Sequence, residues 1–464
     1  MDLQVERKSL ETLISDIARR IHPREEEYRK LSKISNELTR RAHREAQARR
    51  LDVQPVLVGS FARDTWLSGE GDIDIFLLFP PSTSRVELER LGLDFAKSVA
   101  GGRGIVSYAE HPYVRLVEEG VRVDIVPAMR VEDASQRKTA VDRTPFHQAY
   151  VKSRLGPGLT EEVRLLKKFM KGIGAYGAEI KTLGFSGFVC ELLTIKFGSF
   201  LEVLNAASNW KPPTLVTLGD EYSGELSSHL TVVDPTDHTR NAAAAVSLEN
   251  YSKFIVASRD FCAAPTEYFF YPPKLAPPET FAYGQLGRHL VAAVFRSPPV
   301  IKETLWGELR RSASSITRSL ADRGFTVLGS WIGDDESNCY ICLELGELHL
   351  SPWERKYGPQ VYNEPDSRRF LEANTSRLER GPWVEEDRWV VEVRRKKTVA
   401  IEVLSETGGI GLSADIIKSY SAGEFLADGA AVTRIMKSGA VAQSFLAFYY
   451  RRPTWRPLAN FLGQ

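Results

Sequence analysis

At 464 residues the chain is longer than one hydrophobic core ordinarily organises, and two to four domains are expected. Its 61 Lys and Arg balance 60 Asp and Glu at a formal charge of +1, so overall charge neither supports nor opposes RNA binding, which needs only local basic clusters. No apolar run approaches the roughly 20 residues that cross a bilayer, and MDLQVERKSLETL lacks a signal's apolar core. No membrane-spanning helix is expected, and a reducing cytoplasm is the expected location.

Residues 8–47 read as two helices parted near Pro23. Leu10, Leu13, Ile14, Ile17 and Ile21 recur at helical spacing, then Leu31, Ile34 and Leu38 do so within a charged run. Arg40, Arg41, Arg44, Arg49 and Arg50 form either an RNA-facing row or, as such runs more often do, a solvated helix face.

The next stretch, GSFARDTWLSGEGDIDIF at 59–76, carries the most specific chemistry. The apolar run 55–58 is of strand length and stops at Gly59-Ser60, where glycine permits close backbone approach and a helix can open. Such a start offers unpaired N–H groups to an anion; Ser60 adds a hydroxyl and Arg63, one turn on, a charge. In 72–76 acids alternate with apolar residues, so a strand puts Asp72 and Asp74 on one face. Two adjacent carboxylates repel unless a cation lies between them, and Mg²⁺ takes hard oxygen ligands of this kind. An isolated D-x-D is usually a solvated strand face. Here the upstream turn and a later lone acid, Asp124 in the apolar strand 121–126, weigh the other way. Between them a helix is expected at 85–99, and strands 113–117 and 121–126 flank the hairpin turn Glu118-Glu119-Gly120.

Thr144 is placed as a helix cap with Pro145 at the first helical position, and helices are expected at 160–172 and 187–205. The polar, turn-forming segment 232–241 precedes an alanine run, 242–245, of helical character. Residues 271–278 are proline-rich and extended, the best linker in the chain. Beyond it, a strand at 290–295, a helix at 302–323 and two strands meeting at 334–336 suggest half of a ferredoxin-like unit, completed by 388–393 and 399–403. Residues 351–380 are charged and loop-rich, with a short helix at 367–374. Cys339 and Cys342 are C-x-x-C spaced, but no second pair completes a zinc site, and a strand would put the two thiols on opposite faces. Basic and aromatic residues interleave at 353–357, 394–397 and 449–456, as phosphate contacts with base stacking would require, or as surface charge around core aromatics.

The pattern G-S-x-x-R-x-T, D-x-D and a later strand Asp resembles the polymerase-β-like nucleotidyltransferases. With VDIVPA, DRTPFH, EVRLLKKFMK, YGAE, GFSGFVCELL and VVDPTDHTRNAAAAVS it resembles the archaeal-type, class I CCA-adding enzymes, specifically to about residue 247 and weakly thereafter. The resemblance implies an α+β multidomain fold: a mixed-sheet nucleotidyltransferase head at 1–143, a mostly helical neck at 144–272, and a ferredoxin- or RRM-like body at 273–464 with a tail inserted at about 350–385. It implies template-independent addition of C, C and A to the 3′ end of tRNA from CTP and ATP, with two Mg²⁺ ions held by Asp72, Asp74 and Asp124. Gly59, Ser60, Lys167, Tyr176 and Ser186 would serve the triphosphate. Arg63 and Thr144 would lie beside the nucleotide with His147, His111 would lie near the ribose, and Asp234 with Arg240 would sense the base edge. An arginine fork can donate to cytosine or adenine acceptors but cannot accept from uracil or guanine imino groups. The expected partner is the acceptor end of tRNA, its acceptor stem and T-stem, and a homodimer is left open. Asp72 stands where many members carry Glu. Two rivals remain at this level: another polymerase-β-like RNA nucleotidyltransferase, of the poly(A) polymerase or oligoadenylate synthase type, and a non-catalytic RNA-binding module.

Overall fold

The computed structural model describes residues 3–108, 112–131, 140–219, 221–284, 287–406 and 411–456. They form two compact units. One comprises Met1–Pro273 with Pro453–Gln464, and the other Lys274–Arg452, so the boundary falls within the proline-rich stretch.

In the first unit, β1 (Gln54–Val58), β2 (Ile73–Phe79), β3 (Ile105–Tyr108), β4 (Pro112–Glu118) and β5 (Val121–Met129) form a mixed sheet in the order β1-β2-β5-β4-β3. Only β2 and β5 run parallel. Alternation decides the faces. Ile73, Ile75, Leu77, Val123 and Ile125 turn to a core shared with Leu31, Ile34 and Leu38 of the helix Glu25–Arg49 and with Phe95 and Val99. Phe76, Leu78, Val126 and Ala128 line the other face. With a period of two, Asp74 and Asp124 belong to that second face. The row of arginines on Glu25–Arg49 is largely paired: Arg40 and Arg44 with Glu37, Arg49 with Glu45 and Asp94.

The rest of the first unit is helical: Thr144–Arg154, Pro157–Gly172, Gly187–Phe197, Phe200–Ser208 and Leu248–Ala263, with the strands β6 (Thr214–Val216), β7 (Leu230–Asp234) and β8 (Asp237–Asn241) in one small sheet. Three expectations are corrected here. The helix expected over 187–205 is two helices, because Gly198 adopts φ 88° and Ser199 caps the second, accepting from Glu202 N at 3.2 Å. Thr144 is the first residue of its helix, with Arg143 at the cap position. The alanine run 242–245 is a turn: Asn241 Oδ1 accepts from Val232 N and Ala243 N, and the next helix starts only after its cap, Ser247.

The core of this part centres on Phe169, whose ring packs at 5.5–6.3 Å against Phe200, Phe254, Phe261, Phe269 and Phe270. Ile17 and Ile21 from the first helix join it. So does Trp455, which stacks on Phe269 and donates to Asp260 at 2.9 Å, so residues 453–456 belong to this unit and not to the carboxy-terminal body in which they were expected.

In the second unit β9 (His289–Arg296), the helix Lys302–Asp322, β10 (Val327–Asp334) and β11 (Asn338–Leu345) follow as expected. β12 (Trp353–Gln360), β13 (Leu378–Glu385) and β14 (Arg388–Arg394) then form a separate sheet in the order β12-β14-β13, beside the helix Glu364–Thr375. β15 (Glu424–Ala427) closes the first sheet in the order β10-β11-β9-β15, antiparallel throughout, which is the ferredoxin-like arrangement. The expected closing elements are therefore corrected: 388–393 pairs within the inserted sheet, and 399–403 lies mostly in the short helix Ala400–Leu404. Cys339 and Cys342 are buried free thiols in clusters on opposite faces of the sheet.

Because Phe169 has no exposed surface and aromatic neighbours on every side, Phe169→Ala is expected to destabilise the first unit by about 3–5 kcal/mol. Urea unfolding followed by the fluorescence of Trp210 and Trp455 measures it, and a loss under about 1 kcal/mol would show that the cluster collapses around the cavity.

Candidate active site

Parallel pairing puts Asp74 of β2 directly opposite Asp124 of β5, and antiparallel pairing puts Val58 opposite Asp74, so the turn after β1 begins beside the acids. Gly59 is required there: its φ is +81°, and a Cβ would lie 2.1 Å from Asp74 Oδ2. The loop delivering Asp72 is anchored by three residues from two helices. Glu27 accepts from Ser68 Oγ at 2.8 Å and Gly69 N at 2.6 Å, the buried Arg164 donates to Trp66 O at 3.0 Å, and Tyr28 donates to Asp64 at 2.5 Å.

Burial, then the charges of Asp124 and Asp72, push the Asp74 carboxyl up to about 6. Asp72 is raised as well, chiefly by burial and against the pull of Arg122. The flanking acids are partly neutralised by two arginines that sequence reading passed over. Arg115, opposite Asp124 in β4, donates to both its oxygens at 2.8 Å, and Arg122, two residues before Asp124 and so on its face, pairs with Asp72. Among the described residues no three His, Cys, Asp or Glu groups stand ready-made as a metal cage. The donor set nevertheless fits a hard divalent cation: three carboxylates at one end of a sheet, the central one disfavoured as an anion until a positive charge arrives. Asp72 and Asp124 would exchange an arginine for the ion.

Beside the acids lies a buried cluster of charge. Arg63 Nε is 3.1 and 3.0 Å from the two oxygens of Glu191, and Arg63 Nη1 donates to Gln148 at 3.0 Å. Lys167 Nζ donates to Thr65 O at 3.1 Å and Thr65 Oγ1 at 2.9 Å, and lies 3.3 Å from Glu191. Thr65 Oγ1 in turn donates to Glu191 at 2.6 Å. Side-chain exposure is 9% for Arg63, 3% for Lys167 and 0% for Glu191, so two cations share one carboxylate away from solvent. Burial lowers Lys167, and the Glu191 charge opposes that shift. Burial would raise Glu191, but Arg63 and Lys167 outweigh it and hold the carboxyl low. Tyr176 and Ser186 close this side: a Cβ on Gly187 would stand 3.0 Å from Tyr176 Oη and 3.4 Å from Lys167 Nζ, while Ser186 caps its helix by accepting from Val189 N at 3.1 Å. Ser60 is half-buried on the short helix Gly59–Ala62, its carbonyl accepting from Thr65 N at 2.9 Å. Thr65 entered the sequence reading only as the last residue of the G-S-x-x-R-x-T pattern, and Glu191 and Gln148 were not singled out. The available signal was Glu191 itself, the one acid in the apolar helix GFVCELLTIKF.

A third group joins His147, Asp234 and Arg240. Asp234 is fully buried; one of its oxygens is 2.9 Å from both His147 Nε2 and Arg240 Nη1, and the other accepts from Thr236 N and Oγ1. Burial opposes ionisation, yet the His147 and Thr236 hydrogen bonds hold this carboxyl well below the usual range. His147 stacks on Phe188 with ring centres 4.0 Å apart. Thr144 begins the helix that carries His147. His111 lies outside the described residues.

A five-stranded mixed sheet with acids on adjacent parallel strands next to a glycine turn defines a nucleotidyltransferase, and a family profile described as "Nucleotidyltransferase domain" matches residues 23–147. Profiles described as "tRNA nucleotidyltransferase, second domain" and "CCA-adding enzyme, C-terminal domain" match 161–271 and 286–422. Over 455 residues the chain is 36% identical to a CCA-adding enzyme of Halorubrum lacusprofundi, covering 94% of this chain and 98% of that one. It is 39% identical over 399 residues to that of Archaeoglobus fulgidus, with 85% and 88% covered, and 37% identical over 399 residues to that of Methanoregula boonei, with 84% and 86% covered. The chain belongs to the CCA-adding enzyme family.

If like-charge crowding raises Asp74, removing its charge stabilises the metal-free protein. A carboxyl that titrates near 6 when folded holds its proton more tightly than the unfolded chain does, so the folded state loses stability as pH rises from about 4 to about 6. Asp74→Asn is therefore expected to gain on the order of 1–2 kcal/mol at pH 8 and nothing at pH 4. Urea denaturation in EDTA at the two pH values checks this; an unchanged or lower midpoint at pH 8 removes the repulsion.

Proposed function

We propose that this chain adds C, C and A without a template to the 3′ end of tRNA, using CTP and ATP and releasing pyrophosphate. The observation that carries the reading is similarity to CCA-adding enzymes along almost the entire length of both chains, joined to an acid cluster beside a buried cluster of side chains with excess positive charge.

The triphosphate is held by the backbone after Gly59, by Ser60 and by the Arg63–Lys167 pair, with the Tyr176 and Ser186 hydroxyls at its rim. Anion binding suits this cluster because one carboxylate leaves its two cations undercompensated. Asp72, Asp74 and Asp124 would hold Mg²⁺, which would supply Lewis acidity and charge neutralisation at the reacting phosphate. The same three side chains fix where the α-phosphate can lie relative to the tRNA 3′-hydroxyl, and alignment of this kind accounts for much of the rate. Asp234 aims Arg240 and His147, so a planar donor fork meets the Watson–Crick edge of the incoming base and favours C and A over U and G. Basic and aromatic residues of the second unit grip the acceptor stem and T-stem, through salt-sensitive phosphate contacts. A tRNA-processing role places the enzyme in the cytoplasm. Separately, no described helix is long and apolar enough to cross a membrane.

The test is incorporation of each labelled NTP, singly and in pairs, onto a tRNA transcript lacking CCA, with Mg²⁺ or EDTA. Two C from CTP alone, completion only with ATP, and no use of UTP or GTP are expected; a long A tail would assign a different polymerase activity. Asp124→Ala should bind tRNA normally and incorporate at a rate lower by roughly a thousandfold or more, and near-normal incorporation would remove Asp124 from the site. Arg240→Ala should lose roughly ten- to a hundredfold in kcat/KM for CTP while misincorporation of UTP rises. Unchanged base selectivity would place recognition elsewhere.

A further inference from the structure

Glu191 has no part in the chemistry above, yet it is a fully enclosed charge next to it. Its carboxylate sits where three groups converge: the Arg63 guanidinium, the Lys167 ammonium and the Thr65 hydroxyl. Arg63 comes from the end of the glycine turn, Lys167 from the helix Pro157–Gly172 and Glu191 from the helix Gly187–Phe197, so one side chain ties three segments together. A lysine with 3% side-chain exposure remains charged only beside a counter-charge, and among the described residues Glu191 is the acid that contacts it.

We propose that Glu191 is a positioning residue for nucleotide addition: it keeps Lys167 a cation inside the protein and fixes the direction of the Arg63 fork, so that a triphosphate meets two preset positive charges. The proposal rests on the reading of Arg63 and Lys167 as triphosphate ligands. It differs from simple structural support because it concerns a protonation state. The groups facing Lys167 are Glu191 and Cys190 from one helix, Arg63 and Thr65 from the loop after β1, and Tyr176 beyond its own helix. Burial pushes the Cys190 thiol up to about 12 and raises the Tyr176 phenol, and an arginine does not titrate. Once the Glu191 charge is removed, Lys167 is the group in this set left to change between pH 6.5 and 9.

The experiment is equilibrium binding of CTP across that pH range to wild type, Glu191→Gln, Glu191→Asp and Lys167→Ala. The ratio of variant to wild-type Kd at each pH cancels the ligand's own titration. For Glu191→Gln the ratio is expected to climb roughly tenfold or more from pH 6.5 to 9, as a charge-assisted phosphate contact is lost with the Lys167 proton. Glu191→Asp, which keeps the charge, should weaken binding without pH dependence. Adding Lys167→Arg to Glu191→Gln should flatten the profile, since arginine keeps its proton. A pH-independent ratio for Glu191→Gln overturns the proposal even if affinity falls, because that is the signature of structural support alone. If Glu191→Gln does not fold, Thr65→Val carries the test: it removes the hydroxyl between the two charges, should give a smaller rise in the same direction, and overturns the proposal if flat. If Lys167→Ala binds CTP like wild type, the phosphate assignment itself falls and the proposal with it, an outcome separate from a flat Glu191→Gln profile.

Discussion

The structure turns on one electrostatic conflict. In-register pairing of β2 and β5 sets Asp74 beside Asp124, and the period of a strand brings Asp72 to the same face, so three carboxylates crowd the end of one sheet. Nothing in the backbone relieves this. The apolar side chains that continue the same face, Phe76, Leu78, Val126 and Ala128, deepen it by keeping water away. The surroundings accordingly answer with positive charge: Arg115 and Arg122 at the flanking acids and the Arg63–Lys167 pair beyond the glycine turn. The same repulsion that strains the protein prepares it to take up a cation, so the cost to folding and the capacity for chemistry have one source.

The neighbouring cluster is built on the opposite sign. Two cations sharing one carboxylate would be unfavourable in an apolar interior unless an anion completed the set, and Thr65 and Gln148 moderate the imbalance with neutral hydrogen bonds. Gly59 joins the two regions, because only a residue without a side chain leaves Asp74 its place at a backbone turned to φ +81°.

Much of this was legible in the residues. The D-x-D alternation, the Gly-Ser turn and the lone Asp124 identified the acid face because strand period alone assigns it, and Pro23, Gly120 and the stretch 271–278 marked boundaries through backbone chemistry that is local. Pairing choice was not legible. RWVVEVR alternates equally well in either sheet of the second unit, and its partners in β12 and β13 are set by contacts distant in sequence. The four residues of β15 are too few to carry a period. Glu191 escaped because its meaning lies in Arg63 and Lys167, which are remote from it along the chain; a single acid in an apolar helix signals only that some partner exists.

Trp455 has a consequence for how the protein is made. Its indole completes a core that also contains Ile17 and Ile21 from the first helix, while the whole second unit is encoded between them. On the ribosome the second unit is therefore synthesised as an unbroken block and can close on itself, whereas the core of the first unit waits for Trp455 until that block has been made. The order of synthesis thus sets an order of completion: the first unit is begun before the second and completed after it.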